Sequence, residues 1–178
     1  THLLYAIGHE LKRSRQDYRI VYIKGDEFTN ELISAIKSGN NLAFRTKYRE
    51  ADLFLVDDIQ FIAGKEQTQE AFFHIFNSLH ADKKQMVFTS DRAPKEIPKI
   101  EERLLSRFEW GLLADVQAPE YETRIAILKT KASHEKFNLS DEVATFIAEN
   151  STTNIREMEG LLNKIIFFSS LTNHVIDT

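Results

Sequence analysis

Apolar residues along the chain switch between helical spacing and short continuous runs. Leu3, Leu4, Ile7 and Leu11 recur at helical spacing, so residues 1–15 are predicted to form an amphipathic helix. Further helices are predicted over residues 27–37, 42–48 and 66–80, and strands over 20–23, 53–56, 85–90 and 112–116. The run at 53–56 is apolar throughout, which is typical of a parallel strand buried on both faces. This alternation predicts a parallel sheet with helices on both faces.

The pattern changes from Pro119 onward. Residues 120–133, 140–149 and 155–171 are predicted to form three helices, and no strand lies between them. We therefore predict an α/β body over residues 1–117 and a small helical domain over residues 118–178.

Composition narrows the possible classes of protein. Hydrophobic residues make up 42% of the 178 positions, which is enough to build a core, and no apolar run approaches the ~18 residues that span a bilayer. The chain has no cysteine, which excludes disulfides and cysteine zinc sites. A net charge of −4 argues against binding nucleic acid through overall charge. It does not exclude a local groove on the protein that binds DNA. No signal-peptide pattern is present at the start, so we expect a cytoplasmic location.

Two predicted strands end in carboxylates. Asp57 and Asp58 follow the buried run, and ligands of open α/β sheets bind beyond the carboxyl ends of strands. Oxygen ligands suit Mg²⁺, and one aspartate could hold the metal while its neighbour orients a water molecule. Asp91 follows the next strand, where it could sense a phosphate. The alternatives are a pair that only ends a strand and opens a turn, and an Asx turn at Asp91.

Three arginines are candidates for phosphate contacts. Arg103 and Arg107 are four residues apart, so they share one face of a short helix and could reach phosphate in this subunit or the next. The alternative is a solvated face of salt bridges. Arg156 follows Asn154, a good N-cap, and so lies in a first helical turn where helix polarity favours anions. A cation at that position suggests a ligand-binding role.

The order of these motifs resembles the AAA+ ATPases and, within them, the DnaA family of bacterial chromosomal replication initiators. The resemblance rests on "LVDDIQFIAGKEQTQEAFFHIFNSLH", on "TSDRAPKEIPKIEERLLSRFEWGLLADVQAPEYETRIAILKTKA" and on "NIREMEGLLNKI". It covers essentially the whole chain, and "FEWGL" with "REMEGLLN" is specific to this family. It implies a P-loop-type parallel sheet followed by a three-helix lid.

The resemblance also implies roles in binding ATP or ADP with Mg²⁺. Asp57 and Asp58 correspond to the Walker B pair, for magnesium and for water activation, and Thr1 to the last residue of the phosphate-binding loop, beside the metal. The other roles it implies are sensor 1 for Asp91, an arginine finger offered to a neighbouring subunit for Arg107, a companion on the same helix for Arg103, and sensor 2 for Arg156.

DNA contacts and partners follow from the same resemblance. Residues 27–50 correspond to an initiator-specific helical insertion, in which Ile33 faces single-stranded origin DNA. Lys65 and Gln67 match positions that contact the same strand, although Gln67 is uncharged and Lys65 could be an ordinary solvated lysine. The implied partners are origin DNA, further copies of the chain in an ATP-dependent oligomer, replication regulators, the helicase and acidic membrane lipids.

Two segments of the family pattern are missing from this sequence. Only the final Thr of G-x-x-x-x-G-K-[ST] is present, as Thr1, and the central strand before that loop is missing too. No helix-turn-helix segment follows the lid. We therefore expect a piece of a longer molecule, with slow regulatory ATP hydrolysis if the loop precedes it. The alternatives are a regulator or adaptor of the same fold that does not hydrolyse ATP, and a helicase loader.

Overall fold

The structure, a computed structural model, describes residues 1–151 and 154–172 and divides into two compact units, Thr1–Leu113 and Ala114–Thr178. The first unit contains three strands, five α-helices and two short 3-10 helices, Ile59–Ile62 and Pro94–Glu96. The strands and α-helices are α1 (His2–Ser14), β1 (Ile20–Lys24), α2 (Gly25–Lys37), α3 (Asn41–Arg49), β2 (Leu53–Asp57), α4 (Glu66–Ala81), β3 (Gln85–Phe88) and α5 (Glu102–Trp110).

The strands form a parallel sheet in the order β1-β2-β3. Ile20 of β1 and Gln85 of β3 both lie opposite Leu53, so the carboxyl ends of all three strands meet at one edge. Every residue of β2 is buried, which confirms the predicted parallel strand buried on both faces. A ligand site at this edge would draw side chains from all three strands.

Helices cover both faces of the sheet, as predicted. On one face Leu53 and Leu55 of β2 pack with Leu4 of α1. On the other, Phe54 and Val56 join a larger core built from α2, α3, α4 and α5. Phe28 of α2 lies at the centre of this core, and its ring centroid is 5.2–5.5 Å from those of three other aromatic residues, Phe44, Tyr48 and Phe72.

The predicted strand at 112–116 is wrong. Residues 112–120 form neither helix nor strand, and the side chain of Leu112 is 97% exposed. A strand requires a neighbour with which to form a ladder of hydrogen bonds. In the part of the chain that the structure describes, the sheet has only three strands, and none of them pairs with this segment. Its apolar residues alone do not make it a strand.

The second unit is helical, as predicted. It contains α6 (Tyr121–His134), α7 (Asp141–Asn150) and α8 (Ile155–Thr172), around a core that includes Leu128, Ile147, Met158 and Leu162. The side chain of Ser140 caps α7 by accepting a hydrogen bond from the amide of Val143. The predicted helical domain extends to residue 178, but residues 152–153 and 173–178 lie outside the described residues. Among the described helices, none is long and apolar enough to cross a membrane.

Candidate functional site

Asp57, the last residue of β2, is surrounded by hydroxyl groups. Its side chain is buried, and its carboxylate accepts hydrogen bonds from the hydroxyls of Thr1 (2.5 Å), Thr89 (2.5 Å) and Tyr22 (3.1 Å). The amino group of Thr1 lies 3.3 Å from Oδ1. Residues distant in sequence thus converge on one carboxylate at the carboxyl edge of the sheet.

These contacts hold Asp57 ionised. Burial opposes ionisation, but hydrogen bonds from the Thr1 and Thr89 hydroxyls, the amino group of Thr1 and the Tyr22 hydroxyl outweigh it and lower the pKa of Asp57 to about 2. The pKa of Tyr22 is raised, first by burial and then by its hydrogen bonds with Tyr5 and Asp57. Tyr22 therefore remains a neutral donor at neutral pH, and the site carries a fixed negative charge on Asp57.

Asp58 lies in a different environment from its neighbour. Its backbone is left-handed, with φ 53° and ψ 55°, an uncommon conformation outside glycine. The amide of Asp58 donates to Thr89 Oγ1 at 3.0 Å, and Oδ1 accepts from Gln60 Nε2 at 3.3 Å. The turn at Asp58 thus gives two adjacent carboxylates separate sets of neighbours.

Three residues that support the aspartates were not among the predicted site residues. Tyr22 lies on β1, Thr89 follows β3, and Gly25 begins α2. A Cβ at Gly25 would lie only 2.6 Å from the carbonyl oxygen of Asp58, so no side chain fits there. Thr89 could have been found, because it follows the strand that neighbours β2. The close approach of Gly25 leaves no signal in sequence spacing.

The oxygen atoms around Asp57 fit a magnesium ion with a phosphate ligand. An ionised carboxylate and the Thr1 hydroxyl are both hard oxygen donors, and they lie within 2.5 Å of each other. Among the described residues, no group of three or more His, Asp or Glu side chains is placed to hold a metal. Because Mg²⁺ usually keeps several waters and takes oxygens from substrate phosphates, one or two protein ligands are sufficient.

Asp91 lies beyond the end of β3 on an exposed segment. Its two carboxylate oxygens accept from Nε and Nη2 of Arg92, each at 2.8 Å, and this bidentate pairing lowers the pKa of Asp91. The structure therefore places it next to an arginine rather than against Asp57. Its role as sensor 1 remains a prediction.

Both candidate arginines of the first unit lie on α5, as predicted. Arg103 donates to Glu101 at 2.5 Å, and its guanidinium lies 4.7 Å from the centre of the Phe73 ring. Arg107 is half-buried in a shallow surface depression beside Ser106 and Trp110. Within the described ranges, no carboxylate forms an ion pair with Arg107, so its charge is available to a ligand outside these residues.

Arg156 belongs to the second unit and is exposed in the first turn of α8. Its amide donates to Asn154 Oδ1 at 2.9 Å, which confirms the predicted capping role of Asn154. The side chain of Arg156 remains a predicted ligand contact.

The predicted DNA contacts lie where α2 and α4 meet. Lys65 immediately precedes α4, and its Nζ lies 3.4 Å from Thr29 Oγ1 on α2. Ile33 is one helical turn beyond Thr29 and is 44% exposed, and Gln67 is exposed in the first turn of α4. The structure thus places Lys65 against the helix that carries Ile33.

Comparisons with known proteins identify the family. Residues 1–115 match the family model of the bacterial DnaA ATPase domain. The chain is 57% identical over 177 residues to the chromosomal replication initiator protein DnaA of Thermoanaerobacter sp. (strain X514), and 56% identical to that of Caldanaerobacter subterraneus. These alignments cover 99% of this chain and 40% of each relative, so the chain spans about two fifths of their length.

Solved structures agree with this assignment. Domain III of the Thermotoga maritima replication initiation protein DnaA superposes with a TM-score of 0.95 at 38% identity, covering 99% of this chain and 74% of that one. AMPPCP-bound DnaA from Aquifex aeolicus and a replication initiator DnaA bound to AMPPCP and single-stranded DNA give TM-scores of 0.81 and 0.82. Each is 40% identical, covering 92% of this chain and 50% of the other. The predicted AAA+ fold is confirmed, and the chain belongs to the DnaA family of bacterial replication initiators.

Proposed function

We propose that this chain is the ATP-binding and ATP-hydrolysing region of a replication initiator, which assembles in its ATP form on single-stranded origin DNA. Hydrolysis would then end the assembled state. Two solved relatives carry AMPPCP, and one of these also carries single-stranded DNA. We extend binding of an adenine nucleotide and of single-stranded DNA from these relatives, each 40% identical in sequence, to this chain.

One observation carries the nucleotide part of the proposal. Asp57 is a buried, ionised carboxylate at the carboxyl edge of a parallel sheet, beside the hydroxyl of Thr1. A buried charge is costly unless it is stabilised, and the hydrogen bonds to Asp57 provide that stabilisation. Such a site is suited to a hard cation bound with phosphates.

The residues at this edge would divide the work of hydrolysis. Asp57 and Thr1 would hold Mg²⁺, and bound Mg²⁺ would neutralise charge that develops on the phosphate oxygens. Asp58, more open to solvent and on a separate turn, would orient the attacking water. Arg107, without an ion-pair partner among the described residues, would reach the nucleotide of a neighbouring subunit.

The test is a pair of substitutions in the full-length protein. Asp57→Asn removes a charged oxygen ligand and should weaken Mg²⁺-dependent ATP binding, whereas Asp58→Asn should retain ATP binding and slow hydrolysis. Asp17→Asn, at an exposed position away from the sheet edge, is the matched control and should change neither. Nucleotide affinity and single-turnover hydrolysis are measured for each protein. Equal loss of affinity in both aspartate variants would contradict the division of roles, and a wild type that binds no ATP would contradict the proposed function.

A further inference from the structure

The hydroxyl of Thr89 contacts both aspartates at once. It donates to Asp57 Oδ1 at 2.5 Å and accepts from the backbone amide of Asp58 at 3.0 Å. A threonine hydroxyl has one proton to give and lone pairs that accept, so both bonds form together. The hydroxyl of Thr89, which directly follows β3, thus orients the last residue of β2, Asp57, and the next residue, Asp58.

Neighbouring backbone contacts fix Thr89 itself. Its amide donates to the carbonyl of Val56 at 2.9 Å, and its carbonyl accepts from the amide of Ile59 at 2.9 Å. Thr89 is therefore bonded on both sides of the aspartate pair, at Val56 before it and at Ile59 after it. These two bonds hold the main chain of Thr89 beside the aspartates, and the hydroxyl's own bonds to Asp57 and to the Asp58 amide select its orientation.

The turn that Thr89 supports is one that the backbone does not favour by itself. Asp58 has a positive φ, and Gly25 lies so close to the Asp58 carbonyl that a Cβ there would be 2.6 Å away. A left-handed non-glycine residue persists when its surroundings hold it there. The Thr89 hydroxyl holds the amide of Asp58 in this conformation. Gly25, which has no side chain, leaves room for the carbonyl of Asp58.

We propose that Thr89 is a positioning residue for hydrolysis, setting the orientation of the Asp57 carboxylate and the backbone turn that places Asp58. This inference rests on the proposed function, because it assigns Thr89 to the same nucleotide site. Thr89 acts through the two aspartates and need not touch the nucleotide. Serine retains the hydroxyl, whereas valine retains the shape and loses both hydrogen bonds.

The experiment compares Thr89→Val and Thr89→Ser in the full-length protein. Thr89→Val should lower kcat about tenfold to a hundredfold, the factor expected for losing a hydrogen bond to a charged group, and should weaken ATP binding less than Asp57→Asn does, because the Asp57 charge is retained. Thr89→Ser should restore kcat to near the wild-type value. Thr68→Val, which alters another buried threonine of the first unit, is the control for general effects on folding and should leave kcat unchanged.

A second readout requires no nucleotide. Amide hydrogen exchange at Asp58 should be slow in the wild type and in Thr89→Ser, and faster in Thr89→Val, because the valine removes the acceptor of that amide. Unchanged exchange in Thr89→Val, or a kcat no lower than that of Thr68→Val, would overturn the proposal. If the wild type hydrolyses no ATP while Asp58 exchange responds as expected, the proposed function fails and the positioning role in hydrolysis fails with it.

Discussion

Asp57 and Asp58 are neighbours in sequence, but their carboxylates differ in burial and in hydrogen-bond partners. Asp57 is buried, surrounded by hydroxyls and held at a pKa of about 2, whereas the carboxylate of Asp58 is half-buried and bonded to Gln60. Environment, rather than residue type, separates the two carboxylates. The same separation would suit one of them to bind a cation and the other to orient water.

The ionisation of Asp57 predicts a dependence of stability on pH. Its pKa is lowered on folding, so its contribution is complete above the unfolded pKa of about 4 and is lost as the pH falls towards 2. The stability of the wild type relative to Asp57→Asn should therefore be greatest above pH 4 and should fall by on the order of 2 kcal/mol as the pH is lowered below 2. Urea unfolding at several pH values measures it. A difference that stays constant down to pH 2 would contradict the assigned ionisation.

Gly25 predicts a steric effect on the Asp58 turn. Gly25→Ala would place a Cβ 2.6 Å from the Asp58 carbonyl, so the backbone must shift, at a cost of about 1–3 kcal/mol. Gly8→Ala is the matched control in α1, where the nearest atom to the new Cβ is Leu55 Cδ1 at 3.4 Å, an ordinary contact. It should be neutral or stabilising by up to about 1 kcal/mol. Thermal unfolding of both variants measures the difference, and equal stabilities would show that the close approach of Gly25 is not a constraint.

At the scale of elements, α5 presents Arg107 without an ion-pair partner among the described residues. A guanidinium offered to a neighbour's γ-phosphate acts only when subunits stack, and such a finger contributes about 10³–10⁵ in rate where hydrolysis is fast. We expect Arg107→Ala to bind ATP normally as a monomer and to fail in ATP-dependent assembly. Analytical ultracentrifugation with ATP and with ADP measures this.

Arg13→Ala is the control for the loss of a positive charge, since Arg13 lies on α1 and pairs with Glu10 at 2.9 Å. It should assemble like the wild type. Loss of ATP binding by monomeric Arg107→Ala would place this arginine in the pocket of its own subunit instead.

The junction of α2 and α4 predicts a salt-sensitive contact with single-stranded DNA. Lys65 lies against Thr29, one turn from Ile33, so stacked subunits would repeat a cation and an apolar side chain along a strand. Lys65→Ala should weaken ATP-dependent binding of a labelled single strand and reduce its dependence on salt, because fewer counterions are released. Lys164→Ala, an exposed lysine on α8, is the control. Equal binding with ATP and ADP, or equal binding by Lys65→Ala and wild type, would contradict the prediction.

At the scale of the whole molecule, the sequence predicted those features that depend on local pattern. The apolar run at 53–56 identified a strand buried on both faces, and helical patterns located seven of the eight α-helices of the described residues, while α5 was expected as the short helix that carries Arg103 and Arg107. The run at 112–116 has similar composition but no partner strand among these residues, so pattern alone was misleading there. Strand formation depends on a neighbour, which spacing along one segment does not report.

The candidate site shows the same limit. Asp57 could be predicted because it ends an apolar strand, but Thr89 and Gly25 act through distances between segments far apart in sequence. The resemblance to a family supplied roles for Asp91, Arg107 and Arg156 that local patterns left open. The contacts of Thr89 emerged only once β2 and β3 were placed side by side.

The central claim is that the edge of the sheet at Asp57 binds the metal of a metal–nucleotide complex. The most direct test is a crystal structure of the full-length protein with an ATP analogue and Mn²⁺ in place of Mg²⁺, with the metal located by its anomalous scattering. The account predicts a metal peak at the Asp57 carboxylate and the Thr1 hydroxyl, with Thr89 still bonded to Asp57. A metal and nucleotide bound elsewhere, with the Thr1 hydroxyl still donating directly to Asp57, would contradict it.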